Sequence, residues 1–248
     1  MSEPHDVPDA APFAGPAGPT PTDAALATGW AMMLATLSLF GRGSAPESPP
    51  LVSGILSGIF VTATFAMSLA WLRALRASAP LRDVLRLPLR PCTFVRHTLF
   101  GALAGLACVL PTMGLAWGSR WLCARLAIPD PPQSALSFFF DPRVGPSARA
   151  AAVLAVVAAA PLTEELLYRA LIFQGAARAL PPALALPATS ALFSAAHLSV
   201  PLFVPLLGVG LVFGAVFRSL GLAASFAAHA AFNAGNLLVG VLLFGTFP

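Results

Sequence analysis

Four ionisable side chains interrupt a long apolar sequence. From Pro142 to the C-terminus, the only acidic residues are Glu164 and Glu165, and the only histidines are His197 and His229. All four lie within or beside runs that approach the length needed to cross a bilayer. An ionisable group at the bilayer centre costs about 2.5–3.5 kcal/mol on translocon scales, so such groups usually face a cavity or a partner. We therefore expect a functional polar site inside the membrane.

Arg169 distinguishes the two glutamates. It follows Glu165 by four positions, which is one helical turn, so these two charges can neutralise each other. Glu164 is rotated by about 100° on the same helix and is left free for chemistry. On these residues alone, a purely structural ion pair between the glutamates and Arg169 stays open as an alternative.

The histidines and Asn233 extend the possible chemistry. A carboxylate beside an imidazole can take a proton from water, a contribution of roughly 10²–10⁴-fold to the rate in enzymes. His229 and Asn233 stand one turn apart on one helical face, from which both can donate to a developing oxyanion. With Glu164 and His197, this set suits the attack of water on an amide bond.

Two turns should bring these residues to similar depths. Pro181–Pro182 should separate two antiparallel helices over 150–180 and 183–198. Glu164 and His197 lie about 17 and 15 residues from that turn, a similar depth at 1.5 Å per residue.

A second turn, at Ser219–Gly221, starts the last helix and leads to His229 and Asn233 about 8 and 12 residues later. Pro161, one turn before Glu164, would free backbone groups, which membrane helices tolerate where they line protein or water. A water-filled pocket at this place fits that expectation.

The remaining sequence also indicates a membrane protein. Hydrophobic residues make up 57% and charged residues 10% of 248 positions, more apolar surface than a water-soluble fold could cover. The apolar runs predict an all-α, polytopic transmembrane bundle of about seven helices, over 24–40, 51–72, 98–117, 150–180, 183–198, 201–217 and 222–247. In the third run, Gly101 and Gly105 have the spacing that allows close helix approach.

Composition and charge divide the chain and orient it. We expect a disordered, proline-rich tail over 1–22, transmembrane helices and loops over 23–149, and the core that carries the polar site over 150–248. Six arginines against one acid between residues 73 and 96 place that loop and the N-terminus in the cytoplasm by the positive-inside bias. Because the arginines lie between apolar runs rather than on a polar face, topology explains them and no nucleic-acid partner is expected.

Three short motifs resemble those of the CAAX-protease and bacteriocin-processing family, also called the abortive-infection or type II CAAX prenyl endopeptidase family. They are TEELLYR over Thr163–Arg169 (EExxxR), FSAAH over Phe193–His197 (FxxxH) and HAAFN over His229–Asn233 (HxxxN). Their order within apolar helices makes the combination specific. The resemblance covers about residues 150–245.

This resemblance implies an intramembrane glutamic endopeptidase with a conical cavity, so that 150–248 is a membrane peptidase core. In the family, the first glutamate and the FxxxH histidine activate water, while the HxxxN histidine and asparagine stabilise the oxyanion. The implied catalytic residues are Glu164, His197, His229 and Asn233, and the implied supporting residues are Glu165 and Arg169. The implied partners are the lipid bilayer of a bacterial plasma membrane and a membrane-associated or C-terminally anchored polypeptide, lipidated or not, with no cofactor or metal.

Two other functions could use the same polar cluster. Glu164, His197 and His229 could ligate Zn²⁺ in a membrane peptidase, although the sequence holds no HExxH. The cluster could also serve as the ligand site or proton relay of a non-catalytic membrane scaffold or transporter. Loss of activity to a chelator would indicate the zinc enzyme, and unaltered processing by Glu164→Gln would indicate the scaffold or transporter.

Overall fold

The computed structural model describes residues 17–40, 49–88, 90–129 and 144–244, and these residues contain helices and no strand. The helices, in chain order, are α1 Pro21–Phe40, α2 Pro49–Arg76, α3 Leu81–Val84, α4 Pro91–Arg125, α5 Pro146–Ala179, α6 Pro182–Ala195, α7 Val200–Leu220 and α8 Leu222–Phe244. The prediction of an all-α polytopic bundle is confirmed. Residues 1–16 of the expected tail lie outside the described residues.

Within the described ranges, five helices are long and apolar enough to cross a membrane: α2, α4, α5, α7 and α8. α6 is apolar but shorter, with 14 residues. The sequence predicts the third helix over 98–117, whereas α4 runs over Pro91–Arg125. The apolar run marks only the part in contact with hydrocarbon, and the helix continues into the polar interface because its backbone hydrogen bonds stay satisfied there.

α1 begins three residues earlier than its apolar run, at Pro21. The Thr20 N–H donates to Asp23 Oδ2 over 2.8 Å, and the Asp23 N–H donates back to Thr20 Oγ1 over 3.3 Å. These reciprocal bonds satisfy two N–H groups at the helix start, as in a capping box. α1 and α2 then pack on α5 around a core that includes the buried Leu171 and Phe173.

α5 departs twice from α-helical geometry. Ala155–Ala159 and Glu165–Phe173 have π-helical hydrogen bonding, and Ala160–Glu164 between them is α-helical. The first π segment ends two residues before Pro161, whose ring would clash with the carbonyl four residues back in a regular α-helix. π segments inside α-helices occur frequently at functional sites.

α8 approaches α4 backbone to backbone. A Cβ placed on Gly101 would lie 2.1 Å from the Ala224 carbonyl oxygen, and one on Gly105 would lie 1.9 Å from the Ala228 carbonyl oxygen. No side chain larger than hydrogen fits these distances, so the close packing predicted for the two glycines is confirmed.

The arginine-rich loop after α2 meets the ends of α5 and α7. The Arg86 guanidinium donates to the Arg218 carbonyl over 3.2 Å, and the Arg86 carbonyl lies against Gly221, which has a φ of 87°. Near the end of α5, Gln174 Nε2 donates to the Val84 carbonyl over 2.8 Å. The loop therefore lies at the same end of the bundle as Arg178 in the last turn of α5 and Arg218 in the last turn of α7.

Candidate active site

Glu165 lies at the centre of a buried polar cluster. It is 0% exposed, and its Oε1 accepts a hydrogen bond from His229 Nδ1 over 3.0 Å. Its Oε2 accepts from the Ser225 hydroxyl and lies 3.4 Å from Arg169 Nε. The structure thus places Glu165 and Arg169 in the expected ion pair, which balances a carboxylate that would be costly to bury alone.

Glu164 approaches the same imidazole from the other side. Its Oε2 lies 3.8 Å from His229 Nε2, and its side chain keeps 31% of its surface exposed. The two glutamates therefore flank the two nitrogens of His229. Because Glu165 occupies Nδ1, the ring orientation is fixed and Nε2 faces Glu164. Of the two carboxylates, Glu164 is the one with an exposed side-chain surface.

His197 lies beyond the end of α6. The sequence predicts a helix over 183–198, whereas α6 ends at Ala195, and Leu198 has a φ of 53°. Backbone bonds from His197 to Ser194 and from Leu198 to Ala195 form a tight turn, so His197 stands at the helix end with an exposed side chain. The apolar run does not reveal this stop, because no proline or glycine marks it.

The tautomer of His197 follows from its partner. Its Nδ1 lies 2.9 Å from the Phe193 carbonyl. A carbonyl only accepts, so Nδ1 carries the hydrogen, and Nε2 of the neutral ring has its lone pair available. Among the described residues no polar contact joins His197 to Glu164.

Phe193 connects the site residues through its ring. The ring is buried and makes edge contacts with Tyr168, His197 and His229, at centroid distances of 5.3, 5.0 and 6.0 Å. The Arg169 guanidinium carbon lies 4.9 Å from its centroid. The phenylalanine of the FxxxH motif is thus a packing residue, as its position on the face of His197 indicates, and its neighbours are the groups that could do chemistry.

Asn233 contacts α5 one turn further along α8. Its Nδ2 donates to the Val156 carbonyl over 2.8 Å, while Ser225 and His229 bond to Glu165. These contacts run in opposite chain order on the two helices, so α5 and α8 are antiparallel at the site.

Sequence reasoning misses two partners of the polar residues Ser225, His229 and Asn233 on α8. Phe213 of α7 stacks on His229 with a centroid distance of 4.8 Å, and no sequence signal indicates it because the offset between α7 and α8 decides the contact. The Val156 partner is a backbone carbonyl, which side-chain patterns do not indicate. Pro161, five residues later, indicates only that backbone hydrogen bonding is disturbed there. Ser225 has a signal, since it stands one turn before His229 on the same face.

The geometry suits proton transfer in a confined polar site. No group of three or more His, Cys, Asp or Glu side chains in the described ranges is arranged to hold a metal ion. A partly exposed carboxylate on α5 faces His229 of α8, and the ring of Phe193 links His197 to this cluster.

The comparisons with known proteins concern this region. Residues 146–235 match the family model described as Rce1-like, type II CAAX prenyl endopeptidase Rce1-like. No curated protein and no solved structure matches the chain. The matched range begins at the start of α5, ends within α8 and includes all three motifs, which confirms the resemblance. Over residues 146–235, the C-terminal part of this membrane protein is therefore similar to the Rce1-like type II CAAX prenyl endopeptidase family.

Proposed function

We propose that the protein is an intramembrane endopeptidase that hydrolyses a peptide bond of a membrane-associated or C-terminally anchored polypeptide. The observation that carries this proposal is the pair of glutamates around His229, one buried and ion-paired, the other partly exposed between apolar helices. The family match over 146–235 supports the same reaction.

In the proposed reaction, Glu164 and His197 hold and activate water. The water oxygen attacks the amide carbon while Glu164 takes a proton, and His197 accepts a hydrogen bond from the same water at Nε2. The imidazole of His229 and the amide of Asn233 stabilise the tetrahedral oxyanion. Glu164 then returns the proton to the leaving nitrogen, the C–N bond breaks, and a carboxyl and an amine terminus result.

Glu165 and Arg169 support this reaction without touching the substrate. Glu165 fixes the His229 ring through Nδ1, and Arg169 balances the buried charge. Stacking of Phe213 on the imidazole restricts the same ring further.

We also propose that the protein lies in a bacterial plasma membrane with its N-terminus in the cytoplasm. The basic segments after α2, α5 and α7 lie at one end of the bundle, where the positive-inside bias places the cytoplasm. Its substrate is a polypeptide that an attached lipid or a hydrophobic segment anchors in the membrane, and it reaches the site from within the membrane.

The test compares membrane proteomes of cells that carry wild type, Glu164→Gln or Asp83→Asn at matched expression, and scores peptide termini. Asp83 is a matched control because it is an exposed carboxylate in a surface ion pair with Arg82. We expect new termini with wild type and Asp83→Asn that vanish with Glu164→Gln. Identical termini in all three, with each protein abundant, would overturn the proposal and favour a scaffold.

A further inference from the structure

The Val156 carbonyl lacks the helical donor that its position calls for. The Ala160 N–H bonds to the Ala155 carbonyl, five residues back, as π-helical geometry requires. In the same register, the donor to the Val156 carbonyl would be the N–H of residue 161. Residue 161 is proline and has no N–H, so α5 itself leaves this carbonyl without a donor. Inside a membrane, a donor from another element must replace it.

Asn233 supplies the replacement donor from α8. Its Nδ2 lies 2.8 Å from the Val156 oxygen. Because a carbonyl only accepts, this contact fixes which end of the amide faces α5. The amide is planar and carries two N–H groups on one nitrogen, so fixing one of them also fixes the direction of the other.

The same bond sets the offset between the two helices that carry the site. Glu164 stands three residues after Pro161 on α5, and His229 stands one turn before Asn233 on α8. We propose that Pro161 is a positioning residue: it leaves the Val156 carbonyl to Asn233, and this bond aims the second Asn233 N–H at the oxyanion. This inference rests on the proposed function. A donor held in place before the reaction stabilises an oxyanion better than one that must first reorient.

The first experiment is Pro161→Ala, which returns an N–H to residue 161. That N–H can bond the Val156 carbonyl and release Asn233. We expect the new terminus to appear about tenfold or more slowly in membrane vesicles, since loss of one oxyanion donor elsewhere costs about 10²–10³-fold. Thermal stability should be equal or higher, because proline inside a helix is unfavourable. If Pro161 had only a structural role, Pro161→Ala would slow cleavage only if it also lowered the thermal stability.

The matched control is Pro111→Ala, which makes the same change at an exposed proline inside α4. We expect no change in its rate of cleavage. If Pro161→Ala cleaves as fast as this control, Pro161 does not position the site.

A double-mutant cycle with Asn233→Ala separates the hydrogen bond from its role in the reaction. In the wild-type background, Asn233→Ala leaves the Val156 carbonyl without a donor and should lower the melting temperature by roughly 2–4 °C or more. In the Pro161→Ala background, the restored N–H should remove most of that loss. This readout needs no peptidase activity, so it stands even if the proposed function fails. If Asn233→Ala lowers the melting temperature equally in both backgrounds, the N–H of residue 161 does not replace the Asn233 donor, and the proposed exchange of donors is overturned.

The rates of the same four proteins test the positioning role. If Pro161 acts through Asn233, Asn233→Ala should slow wild type strongly and Pro161→Ala only slightly. The alternative result is that the two substitutions slow the reaction independently, while their effects on the melting temperature are coupled. The hydrogen bond would then hold the helices together without aiming the donor. That result would overturn the positioning proposal.

Discussion

Gly105→Ala should displace the helix that carries His229. The new Cβ would lie 1.9 Å from the Ala228 carbonyl oxygen, whereas real Cβ atoms keep at least 3.0 Å and ordinarily about 3.4 Å. The obstacle is backbone, which has no rotamer to change. α4 and α8 must therefore separate locally by roughly 1.1–1.5 Å.

A shift of this size reaches the site directly. Ala228 adjoins His229, whose Nδ1 lies 3.0 Å from Glu165 and whose Nε2 lies 3.8 Å from Glu164. A hydrogen bond does not survive a displacement of more than about 1 Å. Misplacement by about 1 Å can cost about 10²-fold in rate, so we expect cleavage to fall by about two orders of magnitude. Overpacking should also lower the free energy of unfolding by about 1–3 kcal/mol.

The same helix provides the controls. A Cβ on Gly114 or Gly118 would meet nothing within 4 Å, so Gly114→Ala and Gly118→Ala should leave the rate unchanged. Terminus formation in vesicles measures the rate, and thermal unfolding in detergent measures the stability. If Gly105→Ala cleaves like these two variants, the α4–α8 contact does not position His229 and the reasoning is refuted.

Two further outcomes follow from the buried cluster and the donor set. Arg169→Met leaves the Glu165 carboxylate buried without its charge partner and should lower the free energy of unfolding by about 3–5 kcal/mol in denaturant titrations. Adding Glu165→Gln should recover much of this loss, and simple addition of the two losses would contradict the ion-pair account. Dialysis against a zinc chelator should leave the cleavage rate unchanged, whereas a loss that Zn²⁺ restores would favour the zinc peptidase.

Features that depend on neighbours within one helix could be predicted from the sequence. The ion pair of Glu165 with Arg169, the shared face of His229 and Asn233, and the turn at Gly221 follow from helical periodicity and turn chemistry. The close approach at the α4 glycines follows from their four-residue spacing. The catalytic roles of the site residues and the division into three parts stay predictions.

Features that depend on offsets between helices could not be predicted. The stacking of Phe213 on His229 and the bond from Asn233 to Val156 are set by tertiary contacts. The end of α6 before His197 was missed for a different reason, because the local turn that forms it contains no glycine or proline. The π segments of α5 could not be predicted either, because the cost of their weaker hydrogen bonding is offset only by contacts with neighbouring helices. Pro161 was the single local sign of that departure.

The backbone contact between α4 and α8 also affects how the site responds to its membrane. Helices packed through long side chains can slide when the hydrocarbon layer becomes thicker or thinner, since rotamers adapt. Here glycine Cα atoms meet carbonyl oxygens, so hydrophobic mismatch must tilt α4 and α8 together rather than change their offset. His229 therefore keeps its position relative to α4 in lipids of different acyl-chain length.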